Sequence, residues 1–389
     1  MGELIPGLPE EVARECLVRV GFDQLPLVRR ISRQWKSQVE SPDYHRLRKA
    51  EGLSRPVLAL AQAQPPTSPA PGDDAAPADK QHSSAGASGG PANSYRMVLL
   101  DPVEGRWAPL PALPGPTSSL PLFCQVAAVD GGGQGRKRLV VAGGWDPETW
   151  APMDAVFVYD FLTGSWRRGA AMPGPRRSFF ACAAVKGKVY VAGGHDEEKN
   201  ALRSAMAYDP DADAWAQLPD MAEERDEPRG LCVAGGRFLV VGGYTTQEQG
   251  RFAGSADAFD PATNAWEPVE GGFLDDGVCP RTCCAAPGTK TQTTERMCMI
   301  RDGHLVARDG AGNAQWRTVA QVPEDARTAA TVSAIPDGRV VVIGSGCHGG
   351  EQSVYVLRED EDGKGASWAR ATVPPEFSGH VQASCSLEI

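Results

Sequence analysis

The chain has 389 residues, 41% of them hydrophobic, and a net charge of −10, which is enough apolar material for packed cores in about two or three domains. Its longest apolar runs, such as Leu139 to Ala142 and Val340 to Ile343, are strand-length and fall far short of the ~20 residues that span a bilayer, so no membrane partner is expected. Residues 1 to 55 hold ten basic and eight acidic side chains, leaving about −12 on the remainder, which argues against nucleic-acid binding by the larger part.

The start, Met1-Gly2-Glu3-Leu4-Ile5-Pro6, shows no basic region or apolar signal core, and Pro6 occupies the Ser/Thr position of a myristoylation motif. Ten scattered cysteines, several inside apparent strands (Cys124, Cys182, Cys232, Cys298), suit buried free thiols in a reducing cytoplasmic or nuclear setting.

From Leu8 to Gly52 the apolar spacing is helical. Leu8-Pro9-Glu10-Glu11 opens a first helix, with proline in its first turn and acids where the helix dipole favours them. Val12, Cys16, Leu17 and Val20 are expected to form its apolar face, with Gly21 ending the segment. Asp23 is expected to cap a second helix, along which Leu27, Val28, Ile31 and Trp35 make a single stripe. Ser41-Pro42-Asp43 starts a further short helix that stops at Gly52.

A helical unit of about 45 residues is marginal alone, so its leftover apolar surface is expected to meet a partner. The alternative is a bundle packed on the chain's own larger domain. Leu8-Pro9, Leu17, Leu25, Val28, Arg30-Ile31-Ser32, Trp35 and Ser41-Pro42 resemble the F-box pattern in order and spacing. That resemblance implies docking on a Skp-type adaptor, and through it on cullin and RING subunits, by Leu8, Pro9, Leu17, Leu25, Val28, Ile31 and Trp35. Residues 1–52 are therefore expected to form an F-box-like helical domain, followed by a propeller over 53–389.

Residues 64–94 are nearly all Pro, Ala, Gly, Ser, Asp, Gln and Thr and are expected to be disordered. Strand-like runs flank them, Pro56 to Leu60 before and Tyr95 to Leu100 after, so the stretch reads as an insertion within a first blade.

Six tryptophans recur near a period of 50: Trp107, Trp166, Trp215, Trp266, Trp316 and Trp368. The third unit is the clearest, with Phe180 to Val185, Lys186-Gly187-Lys188, Val189 to Ala192, Gly193-Gly194, Ser204 to Asp209, and then Trp215. That order predicts strand, hairpin, strand, glycine pair, strand, turn, strand. Gly143-Gly144 and Gly242-Gly243 repeat the glycine pair, and Tyr159-Asp160, Tyr208-Asp209 and Phe259-Asp260 repeat the third-strand ending.

The succession resembles the kelch repeat, which implies a six-bladed all-β propeller. The unit from Met297 to Ala307 departs from it by lacking the glycine pair. The first unit is one strand short, and the tail 380–389 is expected to supply a closing strand.

The two parts together are similar to the plant kelch-repeat F-box family of ubiquitin-ligase substrate receptors. Members of that family mark phenylalanine ammonia-lyase and related phenylpropanoid enzymes, or cytokinin response regulators, for degradation. No Gly-rich phosphate loop, Gly-x-Ser-x-Gly elbow or His-Glu-x-x-His helix occurs in the sequence, so a binding protein without catalytic residues, metal or cofactor is expected.

The competing expectation is a kelch metalloenzyme or small-molecule lyase. It finds only His195 and His348 after glycine pairs, which are taken as exposed loop residues, and Cys279, Cys283, Cys284 and Cys298 without paired Cys-x-x-Cys spacing. Arg177, Arg229, Arg281 and Arg327 each precede an expected first strand and are the candidate substrate-binding residues, a rim of arginines that would suit an acidic loop of the target.

Overall fold

The computed structural model describes residues 3–65, 94–115, 118–131, 136–269, 272–288, 295–309, 315–359 and 365–389. Of the stretch expected to be a disordered insertion, residues 66–93 lie outside the described residues.

The head holds four helices, α1 (Glu10–Val18), α2 (Leu25–Ile31), α3 (Arg33–Val39) and α4 (Pro42–Ala50). Ser32 takes an extended conformation and its hydroxyl accepts from the Trp35 amide at 3.0 Å, so it caps α3 and breaks the expected single stripe in two. Ser41 caps α4 in the same way. Asp23 does not cap α2, whose N-cap is Gln24. α1 buries Ala13, Leu17 and Val18 and leaves Val12 and Cys16 exposed, so its inward face is rotated from the expected one.

Arg48, 5% exposed, donates to the carbonyls of Val18, Val20 and Leu53 and ties the last helix to the first. The head's own core is Leu4, Ala13, Leu17, Val18, Val28, Val39 and Tyr44.

Six four-stranded antiparallel sheets follow, one per blade, making a six-bladed β-propeller. Blade 1 takes β1 (Pro56–Ala63), β2 (Tyr95–Asp101) and β3 (Arg106–Pro109) from the start of the domain and β24 (Val381–Glu388) from its end. Blade 2 is β4 (Gln125–Gly131), β5 (Arg136–Ala142), β6 (Val156–Asp160) and β7 (Ser165–Arg168). Blade 3 is β8 (Ala181–Val185), β9 (Lys188–Ala192), β10 (Ala205–Asp209) and β11 (Ala214–Leu218). Blade 4 is β12 (Arg229–Val233), β13 (Arg237–Val241), β14 (Ala256–Asp260) and β15 (Ala265–Val269). Blade 5 is β16 (Cys284–Ala286), β17 (Arg296–Arg301), β18 (His304–Asp309) and β19 (Arg317–Gln321). Blade 6 is β20 (Thr328–Ala334), β21 (Val340–Ser345), β22 (Ser353–Glu359) and β23 (Ala366–Ala371).

β24 pairs antiparallel with β1 from Val57↔Leu387 to Ala61↔Ala383, so the last strand and the first share one sheet and β1 is not left as its edge. The repeat residues have separable jobs. Each outer-strand tryptophan donates its indole N–H to a carbonyl beyond the preceding blade, as Trp166 does to Pro111 at 2.8 Å and Trp215 to Ala170 at 2.9 Å. Those of blades 2, 3 and 4 also pack on the aromatic across the hairpin, Tyr159 with Trp166 and Tyr208 with Trp215 at 5.1 Å between ring centroids and Phe259 with Trp266 at 5.2 Å.

The aspartates that end the third strands accept from amides two and three residues on, as Asp209 does from Asp211 and Ala212, fixing the turn. Gly194 sits at φ +80, and a Cβ there would lie 2.3 Å from the Ser178 carbonyl, so both backbone sign and space demand glycine. In blade 5 the same connection shrinks to Asp302-Gly303 between β17 and β18, which is why that unit carries no glycine pair.

The propeller has two unlike ends. One carries the hairpins between first and second strands and between third and fourth. The other carries the glycine-pair loops and the blade-to-blade connections. The head sits on the hairpin end, where Arg29 donates to the carbonyls of Phe161 and Leu162 at 3.0 and 3.3 Å, and Arg55 pairs with Glu104 at 3.2 Å.

Candidate functional site

Two surfaces are presented, one on the head and one on the loop end of the propeller. On the head, Leu8 (37% exposed), Val12 (46%), Leu27 (58%) and Ile31 (55%) are large apolar side chains left in solvent. Singly they would be unremarkable, but with Leu47 (37%) they make five on one small helical unit, which suits it to a partner.

Of the residues expected to meet an adaptor, Leu8, Pro9 and Ile31 are exposed. Leu17 and Val28 are buried in the head's own core, and Leu25 and Trp35 pack against that core, with the Trp35 indole donating to the Leu4 carbonyl at 2.7 Å. Those four hold the surface up rather than form it. Val12 and Leu27 were not among the expected contacts: α1 turns Ala13, Leu17 and Val18 inward and leaves Val12 out, and α2, ending at Ser32, buries Val28 and leaves Leu27 and Ile31 outward.

The four expected rim arginines do not occupy one place. Arg177 is 1% exposed and donates to the carbonyls of Gly193 and Ser204 and to the Ser204 hydroxyl at 2.8 Å. Burial lowers its pKa to about 10. Its counterpart in the next blade is Arg225, which makes the same contacts to Gly242 and Ser255 and pairs with Asp257 at 3.0 Å, and not Arg229. Arg327 folds back on the Val322 carbonyl at 2.8 Å, near Glu324. Of the four, Arg229 and Arg281 line the mouth of the central channel, whereas Arg177 and Arg327 are turned to backbone carbonyls, so the four do not form one ring.

His195 is likewise not an exposed loop residue. It is 5% exposed, its Nδ1 meets the Asp226 carboxylate at 2.8 Å, and its Nε2 lies 3.2 Å from the Lys199 ammonium. With Nδ1 donating to the carboxylate, Nε2 is left to accept from Lys199. Among the described residues no group of three or more His, Cys, Asp and Glu side chains is placed to hold a metal ion. All ten cysteines are free. The channel behind the mouth, a cavity of about 240 Å³, is lined in part by Cys182, Cys232, Cys284 and Cys385. Burial pushes the Cys182 thiol up to about 12, so it stays protonated and poorly nucleophilic.

Around the mouth of about 170 Å³ stand Phe123, Phe179, Glu227, Arg229 and Arg281. Phe123 (φ 57), Phe179 (φ 53) and Glu227 (φ 49) are repeat equivalents. Each sits just before the inner strand, in a left-handed backbone that turns its side chain to the mouth. Trp145, His195 and Tyr244 are also equivalent, each following a glycine pair and bridging to the neighbouring connection at Leu122, Ser178 and Asp226.

In blades 2 and 3 these positions converge into an aromatic cluster. Phe123 lies 5.2 Å from Phe179 and 5.8 Å from Trp145, and Trp150 lies 6.3 Å from Trp145. Trp150 is 60% exposed and Phe123 41%. The signal for this cluster was present in the sequence, since Trp145 and Trp150 fall outside the tryptophan period.

The F-box domain family matches residues 5–47, and the Kelch motif matches residues 134–173, 176–222 and 228–271. The chain is 40% identical to F-box/kelch-repeat protein At1g80440 of Arabidopsis thaliana, with all of both chains covered. It is 38% identical to F-box/kelch-repeat protein At1g15670 of the same plant, again over all of both chains. With F-box/kelch-repeat protein SKIP20, also from Arabidopsis thaliana, it shares 33% identity over 99% of this chain and 96% of the relative. A helical head matching the F-box, six kelch-type blades and full-length likeness to these proteins together place the chain in the F-box/kelch-repeat protein family.

Proposed function

We propose that this chain is the substrate-recognition subunit of an SCF-type ubiquitin ligase, acting in the cytoplasm or nucleus. The head binds a Skp-type adaptor, and through it cullin and RING subunits, and the propeller holds a protein target. The observation that carries this is the disposition of the two surfaces. The exposed apolar side chains of the head stand on a unit docked at the hairpin end of the propeller, and the loop end is left open at the opposite pole.

An adaptor needs that separation, because the target must be held while the head is occupied. Phenylalanine ammonia-lyase and the cytokinin response regulators are the targets that the family resemblance puts first.

The test is co-purification with a Skp adaptor, comparing wild type with Leu27→Asp and Ile31→Asp. Both side chains are more than half exposed, so melting should stay within a degree or two while adaptor binding falls at least about tenfold, as expected for anchors of an interface. Unchanged binding in both folded variants refutes the adaptor role. Capture of each named target by the full chain, with the proteasome blocked, decides between them.

A further inference from the structure

We propose that the loop end of blades 2 and 3 is a docking site for a protein segment that combines an apolar anchor with lysine or arginine side chains. The inference rests on the adaptor reading above and names the chemistry of its target. Phe123, Trp145, Trp150 and Phe179 form one connected aromatic surface whose outermost ring, Trp150, is 60% exposed. Such rings offer large contact area with few torsions to freeze, and tryptophan faces attract cations. The chain itself demonstrates that preference, because the Lys199 ammonium lies 4.8 Å from the centre of the Trp145 ring.

Arg229 and Arg281 stand on the mouth side of the cluster, beside Phe123 and Phe179, but around its outer rings, Trp145 and Trp150, the charge favours the same partner. The loop 143–155 carries Asp146, Glu148 and Asp154 and no basic residue. The connection 219–228 carries five acids against Arg225, which is itself buried and paired with Asp257. Glu148 and Glu223 are exposed and make no ion pair among the described residues. Of the two basic residues between β7 and β8, Arg177 is buried in carbonyl contacts and Arg176 pairs with Glu197 at 3.7 Å. An acidic target loop would meet like charge here, whereas a basic one finds unpaired carboxylates beside apolar rings. Long-range steering would then favour basic partners and weaken with salt.

The experiment selects binders to the full-length protein, in complex with its Skp adaptor, from a random peptide library displayed on phage. Recovered peptides are then measured by fluorescence anisotropy against wild type, Trp150→Ala and the charge-reversed pair Glu148→Lys with Glu223→Lys. The expected result is enrichment of peptides carrying lysine or arginine next to an aromatic or aliphatic residue. Affinity should fall roughly tenfold or more in each variant, and further as salt is raised.

Adaptor binding, measured on the same samples, should not change, so loss of adaptor binding would strike the adaptor reading and not this one. Enrichment of acidic peptides, binding indifferent to both variants, or no selected peptide at all would overturn the proposal. Self-association in light scattering that Trp150→Ala abolishes would also overturn it, and would make the surface a contact between copies of this chain.

Discussion

The indole Nε1 of Trp107 donates to the carbonyl of Thr372 at 2.9 Å, tying the outer strand of the first blade to the connection that leaves the last. The other five repeat tryptophans make the same bond to the blade before them, Trp266 to Pro219, Trp316 to Phe273 and Trp368 to Gln321 among them. The ring is thus closed twice at the same seam, by this outer contact and by β24 at the inner edge of blade 1.

Removing residues 381–389 should therefore cost more than a frayed tail would. Val381 and Leu387 are 0% and 7% exposed, each worth about 1.5–3 kcal/mol of burial, and the β1 edge would lose its partner. Truncation is expected to lower the melting temperature by about 10 °C, using roughly 2–4 °C per kcal/mol for a domain of this order, and to promote aggregation. Scanning calorimetry with light scattering checks it, and wild-type melting of the truncated protein would show that the seam holds without the strand.

Arg177 and Arg281 should separate cleanly by stability. Arg177→Met takes the buried donor from the Gly193 carbonyl and leaves the Ser204 carbonyl with only the Gly193 amide, a loss of about 1–3 kcal/mol for the unsatisfied group. Arg281 is exposed at the mouth, and Arg281→Ala should stay within about 0.5 kcal/mol of wild type. Urea unfolding midpoints measure both. Equal effects would mean that the two arginines share one role after all.

The blades were legible because their markers are fixed by strain and packing. Gly193-Gly194 combine positive φ with carbonyls 2.4 and 2.3 Å from where a Cβ would stand, and Trp215 must reach Ala170 from a set distance along the strand. The rim arginines were not legible, because the start of the inner strand was misjudged. Arg229 was taken to precede its strand, but it is the first residue of β12, and the residue four before the strand, as Arg177 is before β8, is Arg225. In the head, periodicity ran through Ser32, whose side chain prefers to cap, and so put Leu27, Val28, Ile31 and Trp35 on one face. The aromatic cluster escaped because Phe123, Trp145 and Phe179 lie far apart in sequence and meet only where neighbouring blades converge.

Arg29 sets the angle between head and propeller. Its guanidinium donates to Phe161 and Leu162 and lies 3.4 Å from Glu40, with 13% of the side chain exposed. Arg29→Ala should free the head to swing. Adaptor affinity is expected to stay the same while cleavage by added protease in the connector 51–55 accelerates severalfold. Ubiquitination of a captured target should slow, because the target's lysines are no longer held at a fixed reach. Cleavage at the wild-type rate would show that the remaining contacts, Arg55 with Glu104 among them, hold the head alone.

Asp213 gives the seam between blades 2 and 3 a pH dependence. Its carboxylate accepts from the Tyr208 hydroxyl, from the Ala170 amide at 3.0 Å and from Arg167 at 3.0 Å. Those bonds, the tyrosine's first, hold its pKa down to about 2, against an ordinary value of 3.8. A carboxylate with a folded pKa below its unfolded one binds more protons when unfolded. Its contribution is therefore complete above about pH 4 and is lost as pH falls through about 2. Asp213→Asn keeps the shape and removes the charge, so the variant should be less stable than wild type at pH 6, and the gap should narrow as pH drops from 4 toward 2. Urea midpoints for both proteins across that range measure the gap. A gap independent of pH would mean that hydrogen-bond geometry, and not the carboxylate charge, is what joins the two blades there.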